Sequence, residues 1–155
     1  MNTNETTSER RNFLVQSGTL LGVGLFAGSI SNFLESCTNS TAPVVQQQIN
    51  VTQYPELQND FGAKKIKFSG LNQNFPVLVI RKSATSFVAL STICAHQGNE
   101  VNLPDPVTKT ITCPVHGSQY NEIDGSLKLG PATHGLQQFP TTFDAATNIL
   151  TISIS

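Results

Sequence analysis

From residue 50 onward the apolar residues come in short bursts separated by turn formers, and none repeats at a convincing helical spacing. The clearest burst is the last. In Ile149–Ile154, Leu150, Ile152 and Ile154 alternate with Ile149, Thr151 and Ser153. A strand points successive side chains to opposite faces, so this segment reads as a strand with one buried side. Residues 77–81, Val-Leu-Val-Ile-Arg, form a nearly unbroken apolar run, as a fully buried strand would. Residues 63–68, 87–93, 110–113, 118–121 and 136–139 are further short segments rich in β-formers. Turn chemistry is dense at Ser69-Gly70, Gly130-Pro131 and Thr147-Asn148. Asp124-Gly125, between residues 120–123 and 126–129, reads as a hairpin turn. Many short strands joined in this way predict an all-β fold, an antiparallel sandwich or small barrel.

The N-terminal region has a different pattern. Residues 1–12 are polar and include Arg10-Arg11; the 23 residues from Asn12 to Leu34 carry no charge. A charged start followed by an uncharged, mildly apolar centre has the form of an export signal. Arg10-Arg11-Asn12-Phe13-Leu14 resembles a twin-arginine signal, with Glu9 where Ser or Thr is usual. Leu34-Glu35-Ser36-Cys37 resembles a bacterial lipobox, with Glu35 as its unusual member. On that reading Cys37 becomes the lipidated first residue of the mature protein, which accounts for an odd cysteine. The uncharged stretch is also long enough to span a bilayer as an uncleaved signal/anchor helix. Simple cleavage to a soluble form is the third possibility. Residues 1–37 therefore read as an export signal or membrane tether. Residues 38–49 read as a flexible linker, and residues 50–155 as the folded domain.

Composition narrows the class. The chain of 155 residues is 38% hydrophobic and 12% charged, with formal net charge −1 and no Trp. Low charge with abundant Thr, Asn, Gln and Ser suits a β-rich extracytoplasmic domain. From Cys37 onward seven Lys and Arg balance seven Asp and Glu. No basic excess is present to bind nucleic acid, and no acidic run to form a tail. Residues 38–155 can bury one modest core but not two.

The chemistry gathers in two short pairs, Cys94-Ala95-His96 and Cys113-Pro114-Val115-His116, with sixteen residues between them. Two sulfurs and two nitrogens suit tetrahedral zinc or a two-iron cluster of mixed ligation. Structural zinc more often uses Cys-x₂₋₄-Cys or His-x₃₋₅-His spacing. Nucleophilic Cys–His catalysis needs one pair and leaves the other idle.

Cys94-Ala95-His96-Gln97-Gly98 and Cys113-Pro114-Val115-His116-Gly117-Ser118-Gln119-Tyr120 resemble the two cluster-binding loops of Rieske [2Fe-2S] proteins. Gly130-Pro131-Ala132 resembles the family's proline loop, which covers the cluster. The likeness spans roughly residues 50–155, with a cluster-binding subdomain at about 91–139. It implies a Rieske-like β sandwich carrying one [2Fe-2S] cluster per chain. Cys94 and Cys113 would hold the inner iron; His96 and His116 would hold the outer iron at an exposed tip. Ser118 and Tyr120 match positions whose hydroxyls bond a bridging sulfide and the first cysteine's sulfur. Such donors favour the reduced cluster, implying a potential in the upper half of the roughly −150 to +300 mV range.

Three departures stand out. Respiratory-complex members carry an extra cysteine in each loop, joined as a disulfide; here those positions are Asn99 and Val115. Gln97 replaces the apolar residue usual in quinol-docking members. His134 follows the proline loop without a partner cysteine and reads as a surface residue.

The resemblance implies a membrane-tethered one-electron carrier in the bacterial cell envelope. It would pass electrons from quinol or a redox protein to a periplasmic acceptor such as a c-type cytochrome. Partners would be a cytochrome b-type protein or an oxidase large subunit, with no independent catalytic site on this chain. The alternatives are the small subunit of a periplasmic oxidase of the arsenite oxidase type, a ferredoxin-like carrier for an oxygenase, and a structural zinc module without a redox role. The export signal and the Ser118/Tyr120 pair argue against the oxygenase carrier.

Overall fold

The computed structural model describes residues 43–155, which belong to one compact unit. In chain order the strands are β1 (Val45–Asn50), β2 (Ala63–Ile66), β3 (Val77–Ser83), β4 (Ser86–Ser91), β5 (Thr110–Thr112), β6 (Gln119–Asn121), β7 (Leu127–Leu129), β8 (Gln138–Phe139), β9 (Thr141–Asp144) and β10 (Ile149–Ile154). No α-helix occurs among the described residues; three single 3-10 turns join the strands. All pairings are antiparallel, in three sheets ordered β1-β10-β9, β2-β3-β4-β8 and β5-β6-β7. The all-β expectation holds.

The apolar run in β3 now has its reason. Val77 and Val79 point into one hydrophobic cluster with Ile49, Phe139, Leu150, Ile152 and Ile154. Leu78 and Ile80 point into a second, with Val101, Ile111, Tyr120, Cys94 and Cys113. β4 divides the same way, with Phe87 and Ala89 in the first cluster and Val88 and Leu90 in the second. The four-stranded sheet is therefore covered on both faces, and polar residues at these positions would be buried without partners. Each large side chain so buried contributes about 1.5–3 kcal/mol of transfer free energy. The single modest core expected from chain length is two clusters, because one sheet can serve two faces at once. The functional loops are built on the second.

The polar stretch read as a flexible linker through residue 49 ends in a strand. β1 pairs with β10 from Val45↔Ile154 to Asn50↔Ile149. Val45, Gln47 and Ile49 lie on its less exposed face, and Gln46 and Gln48 face water. Three glutamines mask this alternation in the sequence. A strand paired on one side can carry them, because β10 supplies the apolar half of the layer. β9 went unread for a similar reason: its Thr-Thr-Phe-Asp has one large apolar residue, Phe143, packed on Phe87 at 4.8 Å between centroids. Strand ends are shorter than the patterns suggest, as at β2, β4 and β8. The Asp124-Gly125 hairpin joins β6 to β7, with Asn121 and Ser126 closing the turn. The twin-arginine-like motif, the uncharged stretch and Cys37 lie outside the described residues. Among those described, no helix is long and apolar enough to cross a membrane.

Candidate metal centre

Residues 92–137, with β5, β6 and β7 among them, form an excursion between β4 and β8 of the central sheet. The two Cys/His motifs sit in loops of matching backbone design. In the first, Cys94 N–H donates to Asn99 O at 2.8 Å and Gly98 N–H to Cys94 O at 2.9 Å. In the second, Cys113 N–H donates to Ser118 O at 2.8 Å and Gly117 N–H to Cys113 O at 3.0 Å. The chain closes on itself through a left-handed residue, Gly98 (φ 72°) or Gly117 (φ 74°). Glycine enters that region without the Cβ penalty, which is why each motif carries one four residues after its cysteine.

This geometry sorts the four side chains by type. Cys94 and Cys113 are buried at 2% and 1% exposure, and neither is in a disulfide. His96 is half-buried and His116 exposed. Their rings meet edge to face, centroids 4.7 Å apart, with Nδ1 to Nδ1 at 3.2 Å. Among the described residues no three His, Cys, Asp or Glu side chains close around one ion. The donors form a thiol pair inside and an imidazole pair outside.

A model of the Rieske [2Fe-2S] domain matches residues 44–140. The chain belongs to the Rieske [2Fe-2S] family. Its Rieske domain is 39% identical over 59 residues to the "Cytochrome bc1 complex Rieske iron-sulfur subunit" of Corynebacterium diphtheriae, and equally to that of Corynebacterium glutamicum. That match covers 37% of this chain but only 14% of either relative. Among solved structures, the plasma membrane Rieske protein PetC3 of the cyanobacterium Synechocystis PCC 6803 aligns at TM-score 0.49 and 24% identity, covering 59% of this chain and 85% of that one. The ferredoxin of carbazole 1,9a-dioxygenase from Nocardioides aromaticivorans IC177 aligns at TM-score 0.49 and 18% identity, covering 72% and 96%.

The family's cofactor is a [2Fe-2S] cluster, and the residues of this Rieske domain fit one. Hydrogen-bond donors already point at both sulfurs. Burial pushes the Cys94 thiol up, but bonds from the Tyr120 hydroxyl, the His96 N–H, Cys113 and the Gln97 N–H outweigh it and hold its pKa below the ordinary value. Burial also pushes the Cys113 thiol up; the Val115 and His116 N–H groups oppose this, Cys94 adds to it, and the net shift is upward. A cluster needs both sulfurs as thiolates, and the backbone N–H groups aimed at each are suited to that charge.

The two hydroxyls singled out by the resemblance have these neighbours. Tyr120 Oη lies 3.2 Å from Cys94 Sγ and accepts the Ala95 N–H at 3.2 Å. Burial, then the bond to Cys94 and its charge, push the Tyr120 pKa up to about 12, so the phenol keeps its proton and donates. Ser118 Oγ accepts the Ala132 N–H at 3.0 Å, tying the loop at Gly130 and Pro131 to the second motif. That leaves the Ser118 proton for another acceptor. The Gly130-Pro131 peptide is cis. His134 is exposed, with Nδ1 2.9 Å from Gly135 O and no link to the thiols or rings. Gln97 is exposed, as is Val115 at 53%.

Sequence reasoning missed three buried polar residues next to the first loop: Asn72, Ser91 and Thr92. Ser91 and Thr92 resemble ordinary strand-end polarity. The only available signal for Asn72 was asparagine's tolerance of left-handed backbone, which marks a turn but not its purpose.

Proposed function

We propose that this Rieske domain is a one-electron carrier tethered at the extracytoplasmic face of a bacterial membrane. Cys94 and Cys113 hold the inner iron of the cluster, and His96 and His116 the outer iron. The cluster, when bound, takes up and releases a single electron. The protein's own part is placement and electrostatics. Tyr120 donates to Cys94 sulfur and Ser118 stands beside the proline loop; both favour the electron-rich state and a potential in the upper half of the roughly −150 to +300 mV range. The imidazoles lie at the surface. The two Nδ1 atoms face each other at 3.2 Å.

The observation that carries this reading is the segregation of donors: buried thiols beneath, imidazoles at the edge of the molecule. Such an arrangement lets a partner reach the nitrogen side while the sulfur side stays dry. The donor is a quinol or redox protein, with a cytochrome b-type protein or an oxidase large subunit as the complex partner, and the acceptor is a periplasmic protein such as a c-type cytochrome. Lipidation at Cys37 or retention of the uncharged segment 12–34 supplies the tether. Asn99 and Val115, in place of the loop cysteines, favour a second reading of the same chemistry, the small subunit of a periplasmic oxidase.

Visible absorption, electron paramagnetic resonance and redox titration of the mature protein test the proposal. The expected result is a two-iron signal. Its potential should fall as pH rises, by up to about 59 mV per unit where one proton accompanies the electron. A colourless protein holding zinc overturns it.

A further inference from the structure

Three consecutive residues that are not glycine, Asn72, Gln73 and Asn74, have left-handed backbone, with φ of 47°, 52° and 65°. Each such residue costs about 1–2 kcal/mol, so a run of three persists only where its surroundings hold it. The turn opens straight into β3 through Phe75 and Pro76, and its first side chain turns inward. Asn72 Nδ2 donates to Phe75 O at 3.1 Å and Pro76 O at 2.7 Å. Asn72 Oδ1 accepts from Ser91 Oγ at 2.8 Å, and Ser91 Oγ in turn accepts the Ile93 N–H at 3.2 Å. Next to this chain of bonds, Thr92 Oγ1 and Thr92 N–H donate to Pro76 O at 2.7 and 3.4 Å. Residues 91–93, which lead directly into Cys94, are thus gripped from the turn. The Gln73 side chain has no such contact, and the Asn74 side chain accepts only the Gly70 N–H at 3.1 Å.

The geometry points to Asn72 as a positioning residue for the first cluster loop. The left-handed turn is a clamp that fixes residues 91–93, and through them the direction in which Cys94 and His96 are presented. It restrains the first loop in a chain that has Asn99 and Val115 where the family resemblance places the loop cysteines. The inference rests on the cluster reading and adds to it a device that no Cys/His motif reveals.

The experiment uses the cluster-loaded protein and three variants challenged with a strong iron chelator. Asn72→Gly keeps the left-handed backbone at no steric penalty and removes the side-chain bonds. Asn74→Gly makes the same backbone change without touching residues 91–93. Ser91→Ala breaks the same link from its other end and keeps the test open should Asn72→Gly fail to fold. The expected result is cluster loss about tenfold faster in Asn72→Gly and in Ser91→Ala, with broadened resonance lines, and no change in Asn74→Gly. The double variant Asn72→Gly/Ser91→Ala should be worse by less than the two single effects combined, because both remove the Ser91 Oγ–Asn72 Oδ1 bond. Equal half-lives and line shapes for Asn72→Gly and Asn74→Gly, or additive effects in the double variant, overturn the clamp. Failure of the unaltered protein to carry a cluster would instead overturn the cofactor assignment.

Discussion

The two Cys/His loops share one backbone conformation and are supported in opposite ways. The second, residues 113–118, caps a hairpin. β5 and β6 run into it paired at Thr110↔Asn121, Ile111↔Tyr120 and Thr112↔Gln119, so the ladder itself sets its ends. The first, residues 94–99, has no such ladder. Its ends meet at one isolated bridge, Ile93↔Glu100, and at the bond from Val101 N–H to Thr92 O. What a sheet does for the second loop, buried polar contacts with Asn72, Ser91, Pro76 and the Tyr120 hydroxyl do for the first. A ladder spreads its restraint over many equivalent bonds, whereas a polar clamp concentrates it in a few side chains. The same loop can therefore fail in two different ways.

The largest effect expected is one in which the loops behave alike. Each contributes one thiol and one imidazole, so His96→Ser and His116→Ser should both abolish the cluster, read as lost visible absorption and iron content. If either protein stays fully loaded, the loops are not equivalent as donors, and the ligand assignment for that loop is wrong.

What could be read in the sequence follows the same division. The second loop was legible almost whole, because hairpin strands, Asp124-Gly125 and the Ser118/Tyr120 pair all lie in one short stretch, from Thr110 to Leu129, around and after Cys113. The central sheet was legible because burial on both faces leaves an unbroken apolar run at 77–80. The first loop's support was not, because Asn72 lies 22 residues before Cys94 and looks like part of a polar turn. No local pattern reports which turn will lie against which loop. β1 was hidden by its glutamines, of which the inward one, Gln47, is paired with Ile152 more than a hundred residues away. In each case the missing information was a long-range contact.

Tyr120→Phe gives the next largest effect and separates the loops. The hydroxyl belongs to the second loop's strand, yet both of its bonds reach the first, at Cys94 Sγ and Ala95 N–H. A donor to sulfur stabilises the more electron-rich state. Removing it should lower the midpoint potential by about 60 mV, corresponding to about 1.4 kcal/mol, while the cluster stays in place. Amide exchange should speed up at Ala95, which loses its acceptor, and stay unchanged at Cys113 and Gly117. An unchanged potential would remove the tuning role of Tyr120; equal exchange in both loops would show that the hydroxyl does not act selectively on the first.

The smallest effect belongs to the one ion pair at the first loop's exit. Lys65 Nζ lies 2.6 Å from Glu100 Oε1 and joins β2 to the residue that closes the isolated bridge. On distance alone it could be taken for the anchor the loop lacks. Its side chains are 25% and 40% exposed, however, and water screens pairs of this kind to about 0–1 kcal/mol. The buried Asn72 and Ser91 bonds have no competing water, so they should decide where the loop sits. Lys65→Ala should therefore shift thermal unfolding by no more than about 2–4 °C, less at high salt, and leave the rate of cluster loss to a chelator at the unaltered value. If Lys65→Ala instead released the cluster as fast as Ser91→Ala, the exit would be held by surface charge rather than by the buried clamp. The contrast between a ladder-held and a clamp-held loop would then have to be redrawn at Glu100.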